Sequence, residues 1–286
     1  MKIVVGTANF KKKYGLLSNQ INKDNEIKKI FNFLEKKKLF FLDTAFSYNF
    51  DASLTSISNL KKFNIITKIK LPKKNKSYYV KKIEDNIKKK LILYKSKSIY
   101  ACLIHDVKDI LLKDNYKFLK TLKELKKKKL IKKIGISVYS PAEIDKILKV
   151  FKPDIIQLPA NIIDRRFLNK KFLLKLKKKK ILIQVRSIFL QGLLLTDLKK
   201  LNFKNKKLEL DIVKIQTLLK KEKINIKKEC LLFIKKFKHI DFITFGINNL
   251  NELKENLKIL NKKEYAIDNY YNKLKLNKNT IDPRTW

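Results

Sequence analysis

Residues 99–138 read IYACLIHDVKDILLKDNYKFLKTLKELKKKKLIKKIGISV, and two periodicities alternate within them. A short apolar run, Ile99–His105, gives way to a longer lysine-laced stretch, Asn115–Lys128, and a second apolar run follows at Lys133–Val138. Short runs rich in Ile, Val, Leu and Phe suit strands, and a longer amphipathic stretch suits a helix. Strand, helix and strand make a βα unit, whose strands lie parallel in one sheet. The same alternation extends in both directions. The further candidate strands are Lys2–Val5, Leu39–Asp43, Asn64–Lys68, Asp154–Pro159, Ile181–Arg186 and Asp241–Phe245. Candidate helices lie near Lys23–Lys37, Ala52–Asn59, Tyr78–Leu91, Pro141–Lys149, Arg166–Lys178, Leu208–Lys236 (two helices, broken around Lys223–Asn225) and Leu250–Leu260. Ser77 and Ser140-Pro141 supply cap chemistry before two of them. Eight such units in 286 residues predict an α/β fold, a single (β/α)8 TIM barrel over residues 1–286 with no linker of Pro or Gly. Periodicity does not show closure, so an open doubly wound sheet is the alternative.

The bulk composition excludes several classes. No apolar stretch reaches the roughly 20 residues of a membrane helix, and MKIVVGTANF is far short of a signal-peptide core. Cys102 and Cys230 make no disulfide framework, and neither has the company of a metal site. Both read as buried apolar residues. The expectation is a reduced, soluble, cytoplasmic protein with no metal; oligomeric state is left open. The formal net charge of +44 would attract RNA, DNA or anionic lipid. Yet the arginines are only Arg165, Arg166, Arg186 and Arg284, and nucleic-acid readers favour the forked guanidinium. Lys, Ile and Asn are inflated together while Arg, Gly, Ala and Pro are scarce, the skew an AT-rich genome imposes. The charge therefore reads as genomic bias on solvated helix faces, with non-specific polyanion binding as a side effect. The five glycines are Gly6, Gly15, Gly135, Gly192 and Gly246, and they cannot assemble a G-x-G-x-x-G turn or a phosphate loop.

Polar residues stand at successive strand ends. Asp43 closes Phe40-Phe41-Leu42-Asp43, with Tyr48 five residues on; Lys68 closes Ile65-Ile66-Thr67-Lys68; His105 closes Cys102-Leu103-Ile104-His105, beside Asp106. In a barrel those ends share the face where active sites gather. Taken singly each has a plainer reading. Asp43 suits a turn, Lys68 is one of many lysines, and Asp106 is as readily a loop carboxylate as a partner for His105. His105 stands out because the chain has only two histidines, and His239 sits among lysines as a solvated residue. Together they make a proton-transfer set. A phenol of pKa about 10 is a poor donor at neutral pH, a nearby ammonium favours its anion, an aspartate holds the lysine, and a histidine orients a carbonyl.

That ordered set resembles the catalytic tetrad of the aldo-keto reductases, and the similarity covers nearly the whole chain. Gly6-Thr7-Ala8-Asn9-Phe10, Gly135-Ile136-Ser137-Val138-Tyr139, Gln157 through Arg166, Arg186 through Leu193, Gly246-Ile247 through Glu255-Asn256 and the ending Ile281 through Trp286 resemble the family's strand ends in order. The resemblance implies a barrel that holds NADPH or NADH across its mouth without a Rossmann fold. It implies Tyr48 as proton donor to an aldehyde, ketone or sugar carbonyl, with Asp43, Lys68 and His105 tuning and orienting. It also implies Ser137 and Gln157 at the nicotinamide amide, Ser187 at the pyrophosphate, and Gly246, Glu255 and Asn256 at the adenosine end. The pattern departs from the family at Lys11 after Asn9-Phe10 and at Val138 after Ser137. It departs again after strand eight, where Asn248, Asn249 and Glu252 stand in place of Lys and Arg. A carboxylate there favours a free ribose hydroxyl over a phosphate, unless Lys254 compensates. The segment Arg186–Leu193 resembles a branch associated with sugar and polysaccharide genes, which implies a sugar or nucleotide-sugar carbonyl. The other reading is a regulatory or scaffold protein that keeps barrel and cofactor.

Overall fold

A computed structural model describes residues 1–10, 23–48, 50–51, 60–72, 74, 76–111, 116–196, 206–264 and 278–282. In chain order the strands are β1 (Lys2–Gly6), β2 (Phe41–Asp43), β3 (Asn64–Ile69), β4 (Ile99–Ile104), β5 (Ile131–Ser137), β6 (Ile155–Pro159), β7 (Leu182–Arg186) and β8 (Phe242–Gly246). All eight pair in parallel, and β8 returns to β1, so the sheet is a closed barrel rather than an open one. The helices are α1 (Asp24–Lys36), α2 (Lys76–Leu93), α3 (Lys108–Leu111), α4 (Tyr116–Lys127), α5 (Pro141–Val150), α6 (Lys170–Lys178), α7 (Lys206–Lys221), α8 (Ile226–Lys235) and α9 (Leu250–Leu260). The expected helix over Ala52–Asn59 lies outside the described residues.

Alternation along each strand builds two apolar layers. One face points into the barrel, where Val4, Ile66, Ala101, Leu103, Ile155 and Phe242 form a buried plug with Phe41, Tyr100 and Leu182. Phe41 meets Tyr100 edge-on at 5.0 Å and Phe242 at 5.2 Å. The other face, with Leu42, Ile65, Ile104, Ile136, Ile183 and Ile243, packs under the helices. Gly135 belongs inside the plug: a Cβ there would stand 2.3 Å from Leu103 Cδ2 and 2.6 Å from the Ile155 carbonyl oxygen. Only glycine lets β4 and β6 approach β5 so closely.

Several boundaries differ from the sequence expectation for identifiable reasons. Ser77 lies inside α2, which starts at Lys76, so it is not the cap. At α5 the Ser140 cap does form, and the Glu143 carboxylate accepts from the Tyr139 and Ser140 amides at 2.7 and 3.4 Å. The expected start of α6 at Arg166 is four residues early, because Asn169 accepts from the Phe172 amide at 3.2 Å and caps the helix there. Arg166 instead forks onto Asp164, at 2.8 Å from both Nε and Nη2. The short α3 and a 3-10 turn at Leu190–Leu195 carried no periodic signal and were not anticipated.

Five helices end in one device. Lys38, Lys95, Lys129, Lys180 and Lys223 all adopt left-handed φ between 50° and 60°. In each case the next amide reaches back to a leucine carbonyl five residues earlier, as from Leu39 to Leu34 (2.9 Å), Leu130 to Leu125 (3.0 Å) and Ile224 to Leu219 (2.9 Å). This is the Schellman closure, which ordinarily favours glycine. In a chain with five glycines, lysine takes the position at a cost of about 1 kcal/mol each.

Candidate active site

The inward face of β2, β3, β6, β7 and β8 changes from apolar to polar toward its C-terminal end. Above the plug the same alternation brings Asp43, two residues after Phe41, and Lys68, two after Ile66, to the mouth. Both are buried, at 6% and 3% exposure. Lys68 lies one residue inside the end of β3, and His105 one residue past the end of β4, its amide still donating to the Ile69 carbonyl at 2.8 Å.

Asp43 is the hub. Its Oδ1 accepts from Lys68 Nζ at 2.5 Å, and its Oδ2 from Gln157 Nε2 at 2.6 Å and Gln184 Nε2 at 3.1 Å. Gln184 also donates to Thr244 Oγ1 at 2.7 Å, and Lys68 to the Thr44 carbonyl at 2.9 Å. A buried carboxylate and ammonium are thus paired, with neutral amide donors completing the carboxylate and a backbone carbonyl accepting from the ammonium, as low-dielectric burial requires. The loop after β2 is stitched to β3 by Thr44 N to Ile66 O (2.8 Å) and Phe46 N to Lys68 O (3.0 Å). That loop carries Tyr48, whose ring centroid lies 5.4 Å from Lys68 Nζ.

His105 is half-buried. Burial pushes its pKa down to about 4, helped by the positive charges of Lys68, Arg186 and Lys70 and opposed by Asp43. The imidazole is therefore neutral at physiological pH and keeps one N–H donor. Because the unfolded chain takes up this proton near pH 6.5 and the folded chain only near 4, its contribution makes stability rise with pH across that window and level off above it. The expected NMR titration shows the His105 ring neutral from pH 5 to 8, with His239→Asn removing the second ring signal. A His105 midpoint near 6.5 would contradict this environment. Asp106 does not serve the ring: it accepts from the Lys108 amide at 3.0 Å and faces Lys70 at 3.5 Å.

A cleft of about 310 Å³ opens beside this set, lined by Tyr48, Lys68, Asp43, Gln157, Arg186, Ser187, Gly246, Asn248 and Glu252 among others. Ser187, Leu190, Gln191 and Gly192 all take positive φ, which curls the backbone after β7 around the cleft. Across it, Asn9 Nδ2 donates to Asn248 Oδ1 at 2.9 Å, and Glu252 accepts from the Asn248 amide at 2.8 Å. Asn249 caps α9 by accepting from the Glu252 amide at 2.8 Å.

The sequence candidates divide accordingly. Asp43, Tyr48, Lys68, Gln157, Ser187 and Gly246 line one cleft; His105 at the end of β4 and Ser137, buried beside Gln157 by strand register, are not among the lining residues. Glu255 points elsewhere and pairs with Lys227 at 2.5 Å. Asn256 is wholly buried, with neither carboxamide atom bonded, and does not reach the cleft wall. Lys254 stands over the Phe33 ring at 5.7 Å. Gln184 and Arg186 were not singled out, though stepping back by two from the end of β7 would have found Gln184. Both cysteines are buried and free, as their apolar settings suggested. No described helix is long and apolar enough to cross a membrane.

The aldo/keto reductase family model matches residues 2–272. An aldo-keto reductase from Bacillus halodurans, in its holo form, superposes with a TM-score of 0.70 at 15% identity, covering 98% of this chain and 95% of that one. A glycerol dehydrogenase from Gluconobacter oxydans gives 0.66 at 16% identity, covering 93% and 87%. At such identities the likeness is one of fold. A comparison with curated proteins finds no match.

Proposed function

Because the chain belongs to the aldo/keto reductase family, we propose that residues 1–286 form one reductase barrel. In it Tyr48 protonates the oxygen of an aldehyde, ketone or sugar carbonyl. The observation that carries this reading is the buried Asp43–Lys68 pair, 2.5 Å apart, beneath the Tyr48 ring in a cleft. The Lys68 ammonium stabilises the negative charge left on the phenol oxygen when its proton departs. Asp43 fixes the Lys68 ammonium at 2.5 Å, and Gln157 and Gln184 hold the Asp43 carboxylate by donating to it. Neutral His105 offers an N–H to the carbonyl oxygen and orients it. A reduced nicotinamide, when bound, supplies the hydride.

The donor set fits a nicotinamide dinucleotide. The buried Oε1 of Gln157 has no hydrogen-bond partner, and a carboxamide N–H would complete it. Ser187 and the curled segment after it suit the pyrophosphate, and Gly246 keeps the wall beside Asn9 low. At the adenosine end we assign Glu252 in place of Glu255, with Asn256 packed behind it. A Glu252 carboxylate in the cleft accepts from a ribose hydroxyl and repels a 2′-phosphate. Steady-state oxidation of NADH and NADPH over a panel of aldehydes and sugars tests the reading. Turnover is expected, with NADH serving at least as well as NADPH. No turnover with any substrate would favour a scaffold that keeps the cofactor, and a strong NADPH preference would remove Glu252 from the ribose.

A further inference from the structure

The cleft occupies the face of the barrel where the strands end. The opposite face, where they begin, is built from the last turns of the helices and the short connections that follow them. Four of the left-handed lysines, Lys38, Lys95, Lys129 and Lys180, lie in those connections, just before β2, β4, β5 and β7. Positive charge has a local cause there, because the helix dipole favours cations at helix C-termini. That cause accounts for lysines and for nothing apolar. Yet Ile92 and Leu93 at the end of α2, and Val150 at the end of α5, are 78%, 44% and 49% exposed. Scattered singly, such residues would be ordinary. Here they border one arc, because α2, α4 and α5 follow in turn around the part of the barrel made by β3 to β6.

In the middle of that arc a second cavity, of about 280 Å³, opens between the end of α4 and the chain after α5. Lys123, Lys126, Lys127 and Lys152 line it, and Ile134 and Phe151 add apolar wall. Asp154 is the one carboxylate among the lining residues, and it is already engaged. It accepts from Lys126 Nζ at 2.7 and 2.6 Å and from the Ile134 amide at 2.8 Å. Lys123, Lys127 and Lys152 are exposed, and among the described residues no carboxylate pairs with them. Three uncompensated ammonium groups thus surround an apolar recess, with aliphatic side chains at either end of the arc. Nucleic acid is gripped by forked guanidinium groups and stacked aromatic rings. The arc contains no arginine, and the exposed rings of Tyr78 and Tyr116 stand in first turns of α2 and α4, at the other rim. An anionic lipid surface is gripped by lysine charge and inserted aliphatic side chains, and the arc presents both.

We propose that this arc is a docking surface for an anionic lipid bilayer, with a lipid phosphate among Lys123, Lys127 and Lys152 and the aliphatic side chains at the acyl boundary. A barrel docked this way holds its cleft away from the bilayer, so the reductase reading stands or falls separately. A chain of net charge +44 is drawn to any polyanion, so the face that binds is what must be identified. Sedimentation is measured with vesicles of phosphatidylglycerol and phosphatidylcholine in equal parts, and retention on a single-stranded RNA alongside. One lysine at an anionic surface contributes about fivefold in partition, so Lys123→Gln with Lys127→Gln and Lys152→Gln is expected to bind these vesicles about 100-fold more weakly. The charge-matched control is Lys117→Gln with Lys170→Gln and Lys171→Gln, all exposed at helix starts on the other rim. It is expected to stay within a few-fold of the parent. Ile92→Ser with Val150→Ser is expected to lose about tenfold on the vesicles at unchanged net charge. All these positions are exposed, so each variant should keep the parent Tm. Equal losses in the two triple variants overturn the proposal, because binding is then general to the surface. A parent that ignores the vesicles overturns it as well. Loss in the Lys123, Lys127 and Lys152 variant on RNA and vesicles alike, with none in the apolar variant, overturns it by assigning the arc to nucleic acid.

Discussion

Tyr48→Phe is expected to lower kcat for carbonyl reduction by about 10²–10⁴-fold, the range that a positioned proton donor contributes. The substitution deletes one oxygen and keeps the ring that faces Lys68 Nζ at 5.4 Å. The loop that carries the ring is held by backbone bonds that the change does not touch: Tyr48 N to Ala45 O at 3.0 Å, and Phe46 N to Lys68 O at 3.0 Å. Affinity for NADH and NADPH, read by fluorescence titration, should therefore stay within a few-fold of the parent. The contrast between the two readouts is what identifies a proton donor. A residue that only shaped the cleft would lose binding together with rate. If the variant reduced aldehydes at the parent rate, the proton would have to come from His105 or from water, and Tyr48 would have no chemical role.

How much of this was legible depends on range. Short apolar runs between lysine-laced stretches marked the strands, and the polar residues closing three of them led directly to Asp43, Lys68 and His105. The switch from plug to site is a switch in residue type along one inward face, Phe41 to Asp43 and Ile66 to Lys68, and a sequence displays that openly. Closure of the barrel was expected from the count of eight units and not from any local pattern, because the pairing of β8 with β1 joins Phe242 to Lys2 across nearly the whole chain. Contacts of that separation leave no local trace. Gln184 was hidden for a related reason: its role is set by Asp43, 141 positions away. The five helix ends were hidden by composition. A glycine after each helix would have announced the left-handed turn, whereas one more lysine among so many announces nothing. Glu252 and Glu255 are three residues apart on α9, so periodicity does not separate them; the contact of Glu255 with Lys227 and the place of Glu252 in the cleft wall depend on neighbours distant in the chain.

Asp43→Ala should be the most destabilising change at the mouth. It leaves the Lys68 ammonium, 3% exposed, with the Thr44 carbonyl and the Tyr48 ring as uncharged partners, and leaves Gln157 and Gln184 with donors that lose their acceptor. Removing one partner of a buried ion pair costs about 3–5 kcal/mol, which for a chain of this size is a fall in Tm of roughly 6–20 °C by calorimetry. Lost rate alone would not separate chemistry from unfolding, so the double variant Asp43→Leu with Lys68→Met is needed. Two apolar side chains, Leu branched like Asp and Met matched in length to Lys, remove both charges together, and such replacements are often neutral or stabilising, with the lost acceptor of Gln157 and Gln184 as the part of the cost that stays. The double variant should recover much of the lost Tm while remaining as inactive as Tyr48→Phe or more so, because the charge that stabilises the departing proton's oxygen is gone. Recovery of rate along with Tm would mean that the pair serves only to build the barrel mouth. A single variant as stable as the parent would mean that Lys68 reaches water or discharges, and that Asp43 does not hold it.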